Sequence, residues 1–307
     1  MKKLLAIAVA AAITVPMAAS ADTKVYGQAH MTLSDDDTKD ANGNASGWNV
    51  SSRSSRIGMK GSNAMDNGLS LTHKIEMDVD GLVDDKDGNG KAPIQARDSW
   101  LGLKSGFGEV RVGRHTLPDL IGSGPANFMT WGTYDYLLDG KYRVPNALAY
   151  INKFGNVGFA VAQTIGNEKN ATDSATDFMV NYSAGPLYAS VGALMPKDHK
   201  PGAKVALAYK GANYGIGLVA GKKVISDADD TAGKTAESFT SLSGKYSFGK
   251  AYFAAQVSKE KESEVSDNIL ELGYGLGKGS KVYFEHAQLG TSATKVKTNT
   301  LGFQHNF

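Results

Sequence analysis

ARDSWLGLKSGFGEVRVGR, running from Ala96 to Arg114, reads as two strands joined by a tight turn, because its alternation stops and restarts around Gly106-Phe107-Gly108. The segment that follows, TLPDLIGSGPANFMTWGTYDYLLDGK (Thr116 to Lys141), keeps neither a strand period nor a helical one. Connections of that length are uncommon in a compact chain and are usually functional or disordered. Phe128, Trp131, Tyr134 and Tyr136 argue for order, since disordered segments are poor in residues that can pack. The chain therefore reads as a wall built around a structured loop over residues 116 to 141.

The same period of two continues on both sides of this hairpin. In NGLSLTHKIEMDVD (Asn67 to Asp80), Leu69, Leu71, Ile75, Met77 and Val79 share one face, and Ser70, Thr72, Lys74, Glu76 and Asp78 share the other. Leu187, Ala189, Val191, Ala193 and Met195 form another apolar face, as do Phe253, Ala255 and Val257. Tight turns near Asn67-Gly68, Phe107-Gly108, Gly155-Asn156, Gly185-Pro186, Gly211-Ala212, Phe248-Gly249 and Gly277 to Gly279 alternate with longer polar loops. Seven turns and eight loops make sixteen strands.

An even number of strands of about ten residues, with short turns on one rim, long loops on the other and aromatics near the strand ends, is the pattern of a transmembrane antiparallel β-barrel. A propeller would need a four-strand repeat with blade signatures, which the chain does not carry. The expected fold is thus all-β, a sixteen-stranded barrel with its long third loop folded into the lumen.

Lys2 and Lys3 precede an apolar run from Leu4 to Val15, and Ala19-Ser20-Ala21 has the form of a signal-peptidase site. Residues 1–21 are therefore expected to be a cleaved signal peptide and residues 22–307 the barrel domain. Of the 307 residues, 33 are Lys or Arg and 31 Asp or Glu, and removing the two signal lysines balances the charge, so nothing points to nucleic acid. With no Cys, six scattered His and no nucleophile beside a base, no metal, cofactor or enzymatic activity is expected. Asp85, Asp87, Asn89 and Gly90 resemble the start of a calcium loop, but Ala96 stands where the bidentate Glu should be. At the other end, TLGFQHNF closes on Phe307 and resembles the terminal signature of outer-membrane β-barrels that the barrel assembly machinery recognises, so a Gram-negative outer membrane is expected.

The arginines are concentrated. Against 27 lysines spread throughout there are six: Arg53, Arg56, Arg97, Arg111, Arg114 and Arg143. If Ile57, Met59, Trp100, Val110, Val112, Leu148 and Tyr150 face lipid, then Arg56, Arg97, Arg111 and Arg143 face inward together with Lys60 and Lys74. Arg is planar, permanently charged and weakly hydrated, which suits a crowded cluster better than Lys does. Glu76, Asp78 and Glu109 share that wall, and the long loop offers Asp119, Asp135 and Asp139 across from it.

Over essentially its whole mature length the chain resembles the trimeric general porins of Gram-negative bacteria. The resemblance is carried by KVYGQ (Lys24 to Gln28), SRIGMKG (Ser55 to Gly61), ARDSWLGLK (Ala96 to Lys104), VGR (Val112 to Arg114), YRVPNALAY (Tyr142 to Tyr150) and Phe307, in that order and spacing. It implies a sixteen-stranded barrel, an inward third loop, a homotrimer, and a constriction in which loop carboxylates face an arginine ladder. Arg56, Arg97 and Arg143 fall on matching ladder positions, whereas the family's usual Pro-Glu-Phe-Gly type loop sequence is absent. The implied function is passive diffusion of ions and small hydrophilic solutes through a barrel set in outer-membrane lipid and lipopolysaccharide. The alternative is a substrate-selective porin, with Trp131, Tyr134 and Tyr136 as a stacking track for solutes such as sugars.

Overall fold

The computed structural model describes residues 23–37, 47–65, 68–82, 94–133, 136–138, 142–166 and 174–307. The expected signal peptide and the calcium-like segment at Asp85 lie outside them, as do Tyr134, Asp135 and Asp139.

Every wall strand pairs antiparallel with its neighbour in the chain, and the first and last strands pair with each other, which closes the sheet. The closing ladder joins Lys24–Asp36 to Val296–Asn306, running from Gln28 opposite Asn306 to Asp36 opposite Thr298. Phe307 extends it, because Gly27 and Phe307 exchange both backbone hydrogen bonds at 2.9 and 3.1 Å. Closure leaves no unpaired edge, the condition for a sheet to lie in hydrocarbon.

Sixteen strands form this wall. The second is interrupted: Asn49–Ser52 and Arg56–Ala64 both pair with the first strand, and Ser54 between them adopts a left-handed φ of 61°. Two further strands of two residues, His199–Lys200 and Ile225–Ser226, pair with each other outside the wall and tie two long-loop connections together.

The amphipathicity is that of a barrel surrounded by lipid. Leu101, Val112, Leu272 and Phe303 point outward with about half or more of their surface exposed, while Asp177, Gln256, Glu271 and Thr300 are buried on the inner face. Phe154, Tyr214, Tyr246, Phe248, Tyr274 and Phe307 are exposed near the short-turn rim, and several stack in pairs there, as Phe154 does on Phe159 and Tyr209 on Tyr214. Aromatic girdles of this kind sit at a membrane interface.

One face assignment read from alternation is reversed. Trp100 was expected to face lipid, but it points inward, stacked on His115 with the Arg111 guanidinium 3.9 Å from its ring centroid. Leu101 and Leu103 take the outer face of that strand, Gln95–Ser105. Arg97 nevertheless points inward because the ladder with Ser70–Asp78 slips: Ile75 pairs with Ser99 and Met77 with Ala96, so Arg97 and Asp98 together oppose the single residue Glu76. This β-bulge turns two consecutive side chains to one face.

Candidate pore-lining site

The bulge builds a dense charge network on one inner wall. Arg97 donates from Nε to Glu76 Oε1 at 2.8 Å and from Nη1 to Asp78 Oδ2 at 3.2 Å. Lys74 Nζ lies 2.7 Å from Asp98 Oδ2 and 3.4 Å from Glu76 Oε2. Arg143 reaches Asp98 Oδ1 at 3.3 Å, and Arg56 lies 3.9 Å from Glu76 Oε2, which accepts from the Tyr26 hydroxyl at 2.7 Å. Arg56, Arg97, Arg143 and Lys74 thus share Glu76, Asp78 and Asp98.

Asp80 supports this network from behind. Its carboxylate accepts from Ser52 Oγ and Ser55 N, both at 2.6 Å, and from Ser54 N at 2.8 Å, spanning the break in the second strand just before Arg56. Burial pushes the Asp80 carboxyl above its ordinary range, while those three donors pull the other way.

The remaining expected cations are placed separately. Arg111 forks onto both oxygens of Glu109 at 2.8 Å, and Lys60 lies over the Tyr26 ring, 4.8 Å from its centroid. Arg53, which alternation left unassigned, pairs with Glu285 at 3.0 Å across the interruption. Counting inward carboxylates by alternation therefore missed Asp98 and Glu285, as well as Asp177 and Glu271 on the wall that meets the loop. Asp98 was hidden by the bulge, and Glu285 lies far along the chain in a strand where Tyr283 and Ala287 are its inward companions.

The long connection between Gly108–Thr116 and Arg143–Phe154 begins with a short helix, Pro118–Ser123, where the unpatterned sequence had suggested only loop. Pro118 opens it with a preset φ and no amide proton to leave unsatisfied. Its carbonyls and amides meet inward side chains of the opposite wall: Tyr188 and Ser190 hydroxyls donate to Gly122 O, each at 2.7 Å, and Ser243 Oγ donates to Ala126 O at 2.8 Å. Farther along, Thr130 N donates to Glu271 Oε2 at 3.0 Å, and Thr133 N to Gln256 Oε1 at 3.0 Å. Leu117, Ala126 and Leu137 pack with Leu194, Ala206, Val219 and Phe239 into an apolar cluster between loop and wall.

Glycine makes that contact possible. A Cβ on Gly217 would stand 2.0 Å from Ala126 O, and one on Gly215 2.0 Å from the Phe128 ring, so the wall is bare where the loop lies on it.

Asp119 does not meet the arginines. It pairs with Lys204 of the far wall at 2.7 Å, both side chains almost fully buried, and its own amide donates to Asp177 Oδ1 at 2.8 Å. Trp131 packs edge-on against His30 with Arg53 5.8 Å from its ring centroid, and Tyr136 stacks on Tyr142. The described loop thus lines one half of the inner face and the arginine network the other. Low-dielectric walls leave the charges of such a lining less screened than the same charges on an open surface.

A profile of the Gram-negative porin family matches residues 6–294. This chain is a member of the Gram-negative porin family. The outer membrane porin protein 32 of Delftia acidovorans is 27% identical over 99% of this chain and 85% of its own length. Among solved structures, OmpF of Salmonella typhi in complex with daunomycin superposes with a TM-score of 0.74 over 93% of this chain and 97% of that one, at 12% identity. The trimer form of OmpT from Vibrio cholerae superposes at 0.69 over 93% and 99%, at 16% identity. The porin is accordingly an outer-membrane channel protein rather than an enzyme, and Phe307 sits where a porin's last strand closes on its first.

Proposed function

We propose that this porin forms a water-filled pore for passive diffusion of ions and small hydrophilic solutes, narrowed by the 116–141 loop against the wall that carries Arg56, Arg97 and Arg143. The observation that carries this reading is the pairing pattern of the lumen. Four cations share three carboxylates on the arginine wall, so the passage is highly charged yet close to neutral. A lining of that kind hydrates a broad range of small polar solutes and selects strongly for none. Asp135 and Asp139 remain proposed as further loop carboxylates facing the arginines.

The sugar-stacking alternative has less support, because Trp131 and Tyr136 spend their ring faces and edges on His30, Arg53 and Tyr142. We further propose cleavage after Ala21, assembly by the barrel machinery through Phe307, a homotrimer, and contact with outer-membrane lipid and lipopolysaccharide. Support for the trimer is the trimer form of OmpT. Liposome swelling with uncharged sugars of increasing size tests the pore: entry should fall smoothly with size, and a single sugar class favoured over smaller ones would overturn it. Deleting Ser123 to Tyr134 should raise single-channel conductance; an unchanged value in the assembled protein would remove the loop from the constriction.

A further inference from the structure

A cavity of about 540 Å³ opens beneath the loop at the short-turn end of the lumen, between Gly124 to Met129 and the wall around Lys210 to Gly215. It differs in charge from the arginine wall. There, Arg97, Arg143 and Lys74 each have a carboxylate within 3.3 Å. In the cavity, Lys210 and Lys245 line the same space with no carboxylate in the lining and no ion pair among the described residues. Lys245 Nζ stands 3.6 Å from the Tyr252 ring centroid, which holds the ammonium by its charge without neutralising it.

The nearby carboxylate, Glu271, is already engaged. Oε1 accepts from the Tyr252 hydroxyl at 2.5 Å and from the Thr130 hydroxyl, and Oε2 accepts from Thr130 N. Across the cavity from the wall that carries the lysines, the loop presents Pro125 and the Phe128 ring, apolar surfaces with room beside them. Two ammonium groups on one side and an apolar, aromatic surface on the other are a recognition pattern for a molecule with both characters.

We propose that this cavity is a transit subsite for small organic anions in which a carboxylate or phosphate group is joined to an apolar or aromatic body. The anionic group lies between Lys210 and Lys245, and the body rests against Pro125 and Phe128. The proposal rests on the channel reading and names a solute class that dwells in the pore before leaving it. The loop supplies one wall of the site, so the segment that narrows the pore also shapes the place where such a solute pauses.

The test is current blockade in planar bilayers with the assembled porin, adding phenyl phosphate, inorganic phosphate or phenol to the side of the short turns. Phenyl phosphate should interrupt the current at concentrations roughly tenfold below inorganic phosphate, with phenol ineffective. Each of Lys210→Gln and Lys245→Gln should raise its half-blocking concentration roughly tenfold, the factor associated with losing one charge-assisted contact. Lys250→Gln, at an exposed turn outside the cavity, should leave it unchanged. Line broadening of the phenyl phosphate ³¹P signal by detergent-solubilised porin, lost in the lysine variants, reads the same site without a bilayer. Equal blockade of wild type and the double lysine variant, or none of wild type, overturns the subsite while leaving the channel intact. Absence of any ion current from wild type overturns the channel reading and the subsite with it.

Discussion

Arg97 donates to Glu76 at 2.8 Å from a bulge that turns Arg97 and Asp98 to the same side of the wall. A charge pair held this way contributes little net field, and each half is a lever of opposite sign. A unit charge about 7 Å from a passing ion in water contributes roughly 0.6 kcal/mol, or about threefold in local ion partitioning. Replacing Arg97 and Arg143 with Gln should therefore move the zero-current potential in a KCl gradient toward cation preference. Glu76→Gln should move it toward anion preference, and both shifts should grow at low salt, where screening is weaker. Shifts of the same sign would show that these residues do not line the ion path.

Asp98 gives a sharper check, because only the bulge makes it a lumen residue. Asp98→Asn strips Lys74 and Arg143 of their shared partner and should move selectivity toward anions as far as Glu76→Gln does. A lipid-facing Asp98 would instead leave the zero-current potential unmoved.

The barrel and its strand count were legible in the sequence, since alternation with short and long connections reports a closed sheet directly. The clustering of the arginines in a few strands was legible too, but the parity that turned Arg97 inward rested on a lipid-facing Trp100, which the bulge reverses. Trp100 was misplaced because a bulge leaves the composition of a strand unchanged while inverting the face of everything beyond it. The same slip concealed Asp98. The partners of Arg53 and Lys204 were out of reach for another reason: Glu285 and Asp119 meet them only through closure of the barrel and the path of the loop.

Asp119 and Lys204 fasten the start of the loop to the far wall in a buried pair. Asp119→Ala breaks the buried ion pair with Lys204; losing one half of such a pair costs roughly 3–5 kcal/mol, reduced here because the Asp177 carboxyl lies beside it. The variant should lose its heat-resistant folded band on electrophoresis at a lower temperature and show noisier open-channel current. The combination Asp119→Asn with Lys204→Gln, which keeps hydrogen-bonding groups and removes both charges, should recover much of the loss. Equal behaviour of single and double variants would argue against the ion pair as the fastening.

Gly217 tests the seating of the loop by sterics alone. Gly217→Val places carbon where Ala126 O now lies, so the loop must lift and conductance should rise. Gly244→Ala is the matched control, since its added carbon meets nothing closer than 3.5 Å. A Gly217→Val channel indistinguishable from wild type would mean that the loop does not rest on that wall.

The dependence of unitary conductance on KCl concentration tests the diffusion pore most directly. Ions crossing a hydrated, nearly neutral passage are not held in it, so conductance should climb in proportion to bulk conductivity from dilute to molar KCl, with only a small excess at the dilute end from residual lumen charge. A conductance that levels off well below molar salt would mean that ions bind and queue inside, and the channel would then be a selective one.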